Sequence, residues 1–291
     1  MSQIVANSIH TAAMIYLVGL SFSFIYAPTR IFHIAHAGVI TVGGYSAYWL
    51  VVICGWSLTV ALFAAVALGV TAGVVCELLV YRRMRRAGRP ELGFLIASIG
   101  LYTVIQNCIS WAFGDESHSL RQGTVLVGYK MGGAYLTGLQ ISIILSAVLA
   151  FVGFKLLMKM TAVGRAIKAI SAEPELAMIY GINAERMTVT ATAIGSGLGA
   201  VAGVFLGLDT NITPTMGFNI FVQGVVAMIV GGTGSGAGLV CSSLLLATAQ
   251  HTVAYGFDPR WMDAVAYVVL ILFLVIRPFG VAGTRLRRVG A

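Results

Sequence analysis

The sequence predicts an all-α membrane protein, on the evidence of both its composition and its charge distribution. Of its 291 residues, 58% are hydrophobic and 10% are charged, whereas soluble domains carry about a quarter charged residues. A bilayer crossing requires only about 20 apolar residues. Six runs exceed that length without any Asp, Glu, Lys or Arg: 1–29, 31–76, 92–114, 131–154, 187–208 and 210–257. These features exclude a soluble enzyme, a nucleic-acid-binding domain, a secreted disulfide scaffold and a disordered tail.

The lengths of the apolar segments predict about nine crossings within a single transmembrane domain, residues 1–291. The seventh segment is short, and the stretch 28–38 fits either a connection or a dip into the membrane, so counts of eight to ten stay open. The nine segments are 5–26, 37–54, 57–80, 92–113, 137–158, 187–208, 218–232, 237–256 and 261–277.

The basic residues predict the orientation of the chain in the membrane. Fourteen of the eighteen Lys and Arg residues lie in the loop 81–91, the stretch 155–186 and the tail 277–288. Alternating the nine spans puts these three regions on one side, and the positive-inside rule makes that side cytoplasmic. We therefore expect an N-terminus outside the membrane and a cytoplasmic C-terminus.

Small residues predict close helix packing and a weak internal repeat. Glycine recurs at every fourth position from Gly195 to Gly207, a spacing that lets helix backbones approach in lipid, although a helix lining a pathway is the alternative. Pro28 and Pro214 each precede an apolar run that ends in a Gly-Gly pair. These two units begin at the first and sixth predicted spans, so they would insert in opposite senses. Inverted repeats with interrupted helices are typical of transporters.

No catalytic or metal-binding constellation is recognisable in the sequence, and no cofactor is expected. The run 231–238 is rich in glycine but lacks the lysine of a nucleotide-binding loop, so it predicts a tight cytoplasmic turn between packed helices. His33 and His36 lie three residues apart, and no carboxylate or thiolate at helical spacing completes a metal site. Hydrogen bonding between helices, lining of a solute pathway, and a metal or proton relay all stay open for them.

The segment 159–186 is too long to be a simple turn between two spans. Its residues 160–172 predict a short basic amphipathic helix, and a second helical piece runs from Pro174 through Ala177 until Gly181 ends it. Such an element either lies among lipid headgroups or docks a cytoplasmic partner.

Four stretches of the chain match the motifs of one protein family in their order along the sequence: 32–45, 161–183, 227–238 and 277–283. The first is matched at Ala35, His36, Gly43 and Tyr45. The second reads TAVGRAIKA before Glu173-Pro-Glu and Gly181-Ile-Asn, the third AMIVGGTGSGAG, and the last RPFGVAG. With these motifs the chain resembles the ABC-type branched-chain amino acid permeases, and its length suits the shorter of their two permease subunits.

This resemblance implies a type II ABC importer permease fold in a bacterial inner membrane. The resemblance also implies three kinds of protein partner: a second permease subunit, two cytoplasmic ATP-binding subunits that hydrolyse ATP, and a periplasmic or extracellular solute-binding protein. Membrane lipid and the small-molecule substrate are the other expected partners. The resemblance places coupling to the ATPase in the loop 159–186. The implied coupling residues are Gly164, Arg165, Ala166, Lys168, Ala169, Glu173, Ala177 and Gly181.

The resemblance, together with the interrupted-helix pattern, makes His33, His36, Tyr45 and Gly231 the candidate residues of the translocation pathway. The family's Asn, Phe and Gly near the first motif are replaced here by His33, Ile34 and Ala37. The solute is therefore expected to be a branched-chain amino acid or a related small molecule such as urea, a short amide or an aromatic acid. An ATP-independent secondary transporter or small-solute channel is the alternative, and an intramembrane enzyme would need a catalytic constellation that the sequence lacks.

Overall fold

The computed structural model describes residues 2–121 and 128–276, so the Arg-Pro ending at 277–283 and the rest of the basic tail lie outside the described residues. In these residues the chain is a bundle of helices with one short antiparallel hairpin. The helices are α1 (Ser2–Thr29), α2 (Ala35–Tyr48), α3 (Leu58–Cys76), α4 (Arg82–Arg86), α5 (Glu91–Phe113), α6 (Gly138–Met160), α7 (Ala162–Ala172), α8 (Pro174–Ile179), α9 (Ala184–Asp209), α10 (Met216–Gly231), α11 (Gly236–Gly256) and α12 (Met262–Ile276). Short π-helical turns at Trp49–Ile53 and Glu77–Tyr81 extend α2 and α3, a 3₁₀ turn at Pro259–Trp261 precedes α12, and β1 (Tyr129–Met131) pairs with β2 (Ala134–Leu136).

Each of the nine predicted apolar segments is a helix, which confirms the all-α membrane fold. Seven helical stretches in the described part of the chain are long and apolar enough to cross a bilayer: Ser2–Thr29, Ala35–Ile53, Leu58–Arg86, Glu91–Phe113, Gly138–Met160, Ala184–Asp209 and Gly236–Gly256. This is fewer than the eight to ten predicted, because α10 has 16 residues and the described part of α12 has 15.

The shortness of α10 has a structural cause, since this helix begins beside the middle of α2. The Gly217 amide donates a hydrogen bond of 3.3 Å to Thr41 Oγ1, and the Met216 side chain lies against Gly44. The preceding segment is not helical, and Ile212 within it forms a two-way backbone bridge with His118, at 2.9 and 2.7 Å. The chain therefore reaches the start of α10 through an irregular stretch at the level of the other helices.

Helix α1 is the centre of the bundle. Every residue from Ala12 to Ile25 is buried, and α1 packs against α6, α9, α10 and α11. A helix segment that is buried on all sides needs no polar face, and residues 12–25 of α1 are accordingly uncharged and mostly apolar.

Close glycine contacts join α9 to α1 and α2, as the i,i+4 spacing predicts. A Cβ atom on Gly195 would lie 2.5 Å from the carbonyl oxygen of Ser21, and one on Gly203 would overlap the carbonyl of Ile40. The backbones are thus in direct contact, which in lipid replaces the hydrophobic driving force of a soluble core.

The two units of the predicted repeat share one arrangement. In each, a long helix (α1 or α9) leads through a short irregular linker into a shorter helix (α2 or α10). The long helices are antiparallel, because His10 near the start of α1 lies 3.6 Å from Asp209 at the end of α9, whereas Ser21 lies beside Gly195. The position of Pro28 differs from the prediction, because this residue lies in the last turn of α1 and not in the linker.

The glycine contacts predict a specific sensitivity to volume. We expect Gly203→Ala to lower the free energy of unfolding by about 1–3 kcal/mol, because the new methyl group meets the Ile40 carbonyl and forces the helices apart. Thermal unfolding of the purified chain in detergent measures the effect. Gly100→Ala on α5 is the matched control, since a Cβ atom there meets open space, and an equal loss in both variants would contradict the packing role.

Candidate functional site

The predicted coupling segment forms two helices, α7 and α8, set against the basic end of the bundle. The Thr161 hydroxyl caps α7 by accepting a 3.0 Å hydrogen bond from the Gly164 amide. A side chain at position 164 would overlap the Leu157 carbonyl, so glycine permits the sharp turn from α6 into α7. Pro174 starts α8, and Gly181 ends it with a φ of +82°, a conformation that favours glycine. The two predicted helical pieces are confirmed.

One face of this two-helix element is anchored in the bundle, and α7 packs on α1, α6 and α9. Ile167, Ile170 and Ala177 are buried on the inner face. Of the predicted coupling residues, Gly164 and Ala177 are buried, and Ala166 and Ala169 are half-buried. The other four are exposed: Arg165, Lys168, Glu173 and Gly181.

The outer surface at the end of the element is apolar. Four large side chains there are between 51% and 80% exposed, a set that we call the α8 patch: Leu176, Met178, Ile179 and Tyr180. Outside the spans, such an exposed apolar cluster indicates contact with a partner protein or with the lipid headgroups.

Ion pairs hold the basic end of the bundle together. Glu185 at the start of α9 binds two arginines of α4, Arg82 at 2.7 Å and Arg86 at 2.8 Å. Arg85 pairs with the buried Glu77. The loop 87–90 and the coupling element therefore lie at the same end of the molecule, as the distribution of basic residues predicts.

A single hydrogen bond connects the coupling element to the linker between α1 and α2. Arg30 Nη2 donates to the carbonyl oxygen of Ser171, at the end of α7, over 2.8 Å. Arg30 is also the one described residue other than glycine with a positive φ, +56°. The sequence analysis did not select this residue, although it is the single charge between two long uncharged runs.

The linker that Arg30 begins leads into the predicted pathway histidines, which are both buried. His36 Nε2 lies 2.9 Å from Ser21 Oγ on α1, and its ring packs over Gly199 of α9. The His33 ring stacks on Tyr81 with the ring centroids 4.4 Å apart, and neither of its nitrogens has a protein partner among the described residues. The described residues contain no group of three or more His, Cys, Asp or Glu placed to hold a metal ion.

Tyr45 and Gly231 lie apart from the histidines. Tyr45 is buried further along α2, where its ring centroid lies 5.0 Å from that of Phe113. Gly231 touches the backbone of Gly238, and Gly232 and Gly234 take positive φ values in the tight turn between α10 and α11. The tight turn between packed helices is confirmed, and its cytoplasmic location stays a prediction. The assignment of all four residues to a pathway stays a prediction.

A surface that the sequence analysis missed lies on α5 and α10. Ring contact between Tyr102 and Phe218, with centroids 5.4 Å apart, joins these helices. Four amide side chains of these two helices are exposed or half-buried, and we call them together the amide strip: Gln106, Asn107, Asn219 and Gln223. By contrast, the large exposed residues of α3 and of α6 up to residue 154 are apolar, among them Phe63 and Leu149, as expected of a lipid-facing surface.

Comparisons with known proteins agree with this architecture. A family model described as "Branched-chain amino acid transport system / permease component" matches residues 4–274. The high-affinity branched-chain amino acid transport system permease protein LivH of Escherichia coli (strain K12) is 28% identical over 95% of this chain and 94% of its own length. BraD of Pseudomonas aeruginosa, with the same description, is 28% identical over 97% and 95%. The solved structure of PsaBC from Streptococcus pneumoniae in complex with Fab has a TM-score of 0.55 at 11% identity, and covers 94% of this chain and 91% of that one, which supports the fold.

Proposed function

This chain belongs to the family of branched-chain amino acid permease components, and from that premise we propose that it is the membrane-spanning permease subunit of an ATP-driven importer. The solute would be a branched-chain amino acid, as named for LivH and BraD, or a related small molecule such as urea, a short amide or an aromatic acid. The chain lacks a nucleotide-binding lysine motif, so ATP hydrolysis belongs to separate subunits.

The α8 patch is the observation that supports this function most directly. It lies on the same two-helix element as the exposed coupling residues Arg165 and Glu173, so a partner surface would meet apolar and charged groups together. We assign this surface to a cytoplasmic ATP-binding subunit. The positive-inside rule favours the same side, which puts the N-terminus outside a bacterial inner membrane and the C-terminus in the cytoplasm.

Movement of the docked subunits would reach the spans through α7. When ATP binding closes the ATPase pair, α7 is displaced together with the parts of α1, α6 and α9 that it touches. The Arg30–Ser171 hydrogen bond passes the displacement to the linker before His33 and His36. Alternating access follows when this linker has two arrangements that open the pathway toward opposite sides.

The amide strip supports the proposal of a second permease subunit. Asn107 donates one hydrogen bond, to the Thr103 carbonyl at 2.8 Å, and Gln223 donates to Asp263 at 3.0 Å. Their remaining polar atoms would be unsatisfied against lipid tails, which is costly. A second permease subunit across this surface, with the solute between the two, would satisfy them. The solute-binding protein would dock at the opposite end from α7, where the β-hairpin lies.

The first test concerns docking. We expect Arg165→Glu, and independently Ile179→Asp, to abolish ATP-dependent solute uptake in proteoliposomes while the chain remains in the membrane, because both change the docking surface. Arg83→Glu is the matched control, since Arg83 is exposed at the same end without an ion pair in the described structure. Uptake by the chain without any ATPase subunit would support the ATP-independent alternative.

The second test concerns transmission through Arg30. Glycine tolerates the φ of +56°, so Arg30→Gly preserves the backbone while it removes the hydrogen bond to Ser171. We expect uptake to fall by about tenfold, within the usual range of coupling between sites. ATPase-subunit binding, measured by co-purification, should stay normal. Arg83→Ala is the control for loss of an arginine at the same end. Equal uptake by the two variants would show that the Arg30–Ser171 hydrogen bond does not transmit movement to the linker.

The third test concerns the amide strip. Asn107→Leu would improve the fit to lipid if the strip faced lipid, and would leave uptake unchanged. We expect instead that uptake falls by at least about tenfold, because an amide at a subunit or solute contact is lost. Thr71→Val on α3 is the matched control, since its exposed hydroxyl bonds only to the Ala67 carbonyl of its own helix.

A further inference from the structure

A seam with two cavities runs along the outside of the bundle beside α1 and α6, bordered also by α11 in its upper part and by α7 in its lower part. One cavity of about 370 Å³ occupies its upper part and another of about 340 Å³ its lower part, toward the basic end. The α6 residues that line the two cavities lie on one face of the helix. Those in the upper cavity are Ile144, Ala147, Val148 and Phe151, and those in the lower cavity are Phe154, Lys155, Met158 and Lys159. Ring pairs between α1 and α6 line the seam, Tyr16 with Phe151 in the upper cavity and Phe24 with Phe154 in the lower one, at centroid distances of 6.4 and 5.4 Å.

The chemistry of the seam changes along its length. The upper cavity is lined almost wholly by apolar groups, including Ile9, Ile144 and Leu244. The lower cavity adds Lys155 and Lys159 from α6 and Lys168 from α7. These lysines have no ion pair among the described residues. Lys155 Nζ of the lower cavity lies 5.7 Å from the ring centroid of Phe151, which lines the upper cavity, so the two cavities are neighbours.

The ligand that fits is anionic at one end and hydrocarbon at the other. No Asp or Glu lines the lower cavity, so the ammonium group of an amino acid would have no partner there. Three unpaired lysines at the end of a membrane helix form a basic pocket of the kind that binds lipid phosphate. The apolar upper cavity can accept an acyl chain.

The dimensions of the seam match one leaflet of a bilayer. From residue 144 to residue 159 the helical rise is about 22 Å. A bilayer with its headgroups is about 40–45 Å thick, so one leaflet is about half of that.

We propose that the seam between α1 and α6 binds one anionic phospholipid, with its phosphate at Lys155, Lys159 and Lys168 and an acyl chain in the upper cavity. The bound headgroup holds the coupling helix α7 against α6, because Lys168 belongs to α7 and the other two lysines belong to α6. The lipid is therefore a structural part of the coupling element, whichever solute the chain transports.

Native mass spectrometry of the purified full chain tests the site by titration with three probes: phosphatidylglycerol, phosphatidylcholine and glycerol phosphate. We expect one tightly bound phosphatidylglycerol and no comparable binding of the other two. Replacing Lys155, Lys159 and Lys168 together by Gln should weaken phosphatidylglycerol binding by about 100-fold, from about fivefold per lysine. Each single Lys→Gln variant should show a part of this loss. The single variants therefore test the site even where the triple variant does not fold.

The matched control replaces three other exposed basic residues of the same end, Arg83, Arg89 and Arg186, by Gln, with the same change in net charge. It should retain the bound lipid. Equal weakening in this control would reduce the effect to net charge and overturn the proposal. Tight binding of glycerol phosphate would identify a soluble anion as the ligand and would also overturn the proposal. Binding of phosphatidylcholine as tight as that of phosphatidylglycerol would overturn it as well. Because no partner subunit or solute is present, these outcomes are independent of the transport tests.

Discussion

The direct contact of α9 with α1 and α2 is the interaction on which the rest of the structure depends. Lipid tails are as apolar as the helices, so helices associate in a bilayer through close packing and not through exclusion of water. Glycines on α9 let Ser21 and Ile40 carbonyls approach its backbone. This contact fixes α1 at the centre and α2 beside it, and thereby sets where the linker between them lies relative to the coupling helix α7.

The segments around this centre that we assign to function are places where the helices are interrupted. The linker from Arg30 to Ile34 and the segment from Thr210 to Thr215 interrupt helices at corresponding positions of the two inverted units. Irregular backbone at membrane depth is tolerated only where protein or a water-filled cavity covers it. Each interruption is adjacent to a polar side chain, the first to the buried His36 and the second to the half-buried His118, and the first is also bonded to the coupling element.

The outer surface of the bundle divides by chemistry into regions with different expected partners. Large apolar side chains on α3 and α6 suit lipid tails, and the amide strip suits another protein or a polar solute. The α8 patch lies beyond the spans, and we assign it to the surface of a cytoplasmic partner. The seam between α1 and α6 combines an apolar cavity with lysines and so suits a lipid with an anionic headgroup. The composition of each surface thus indicates whether lipid or a partner is expected there, which the helical fold alone does not indicate.

The sequence by itself determined the place of the nine apolar helical segments, the glycine row and the two helices of the coupling segment. Each of these depends on the local order of residues: an apolar run, an i,i+4 spacing, a proline or a glycine. The tertiary structure alone decided that α10 starts beside Thr41, that Arg30 reaches Ser171, and that the amide strip and the lysines of the seam assemble. The residues involved are up to 176 positions apart, and their contact follows from how helices pack against each other, which no local pattern in a single sequence records.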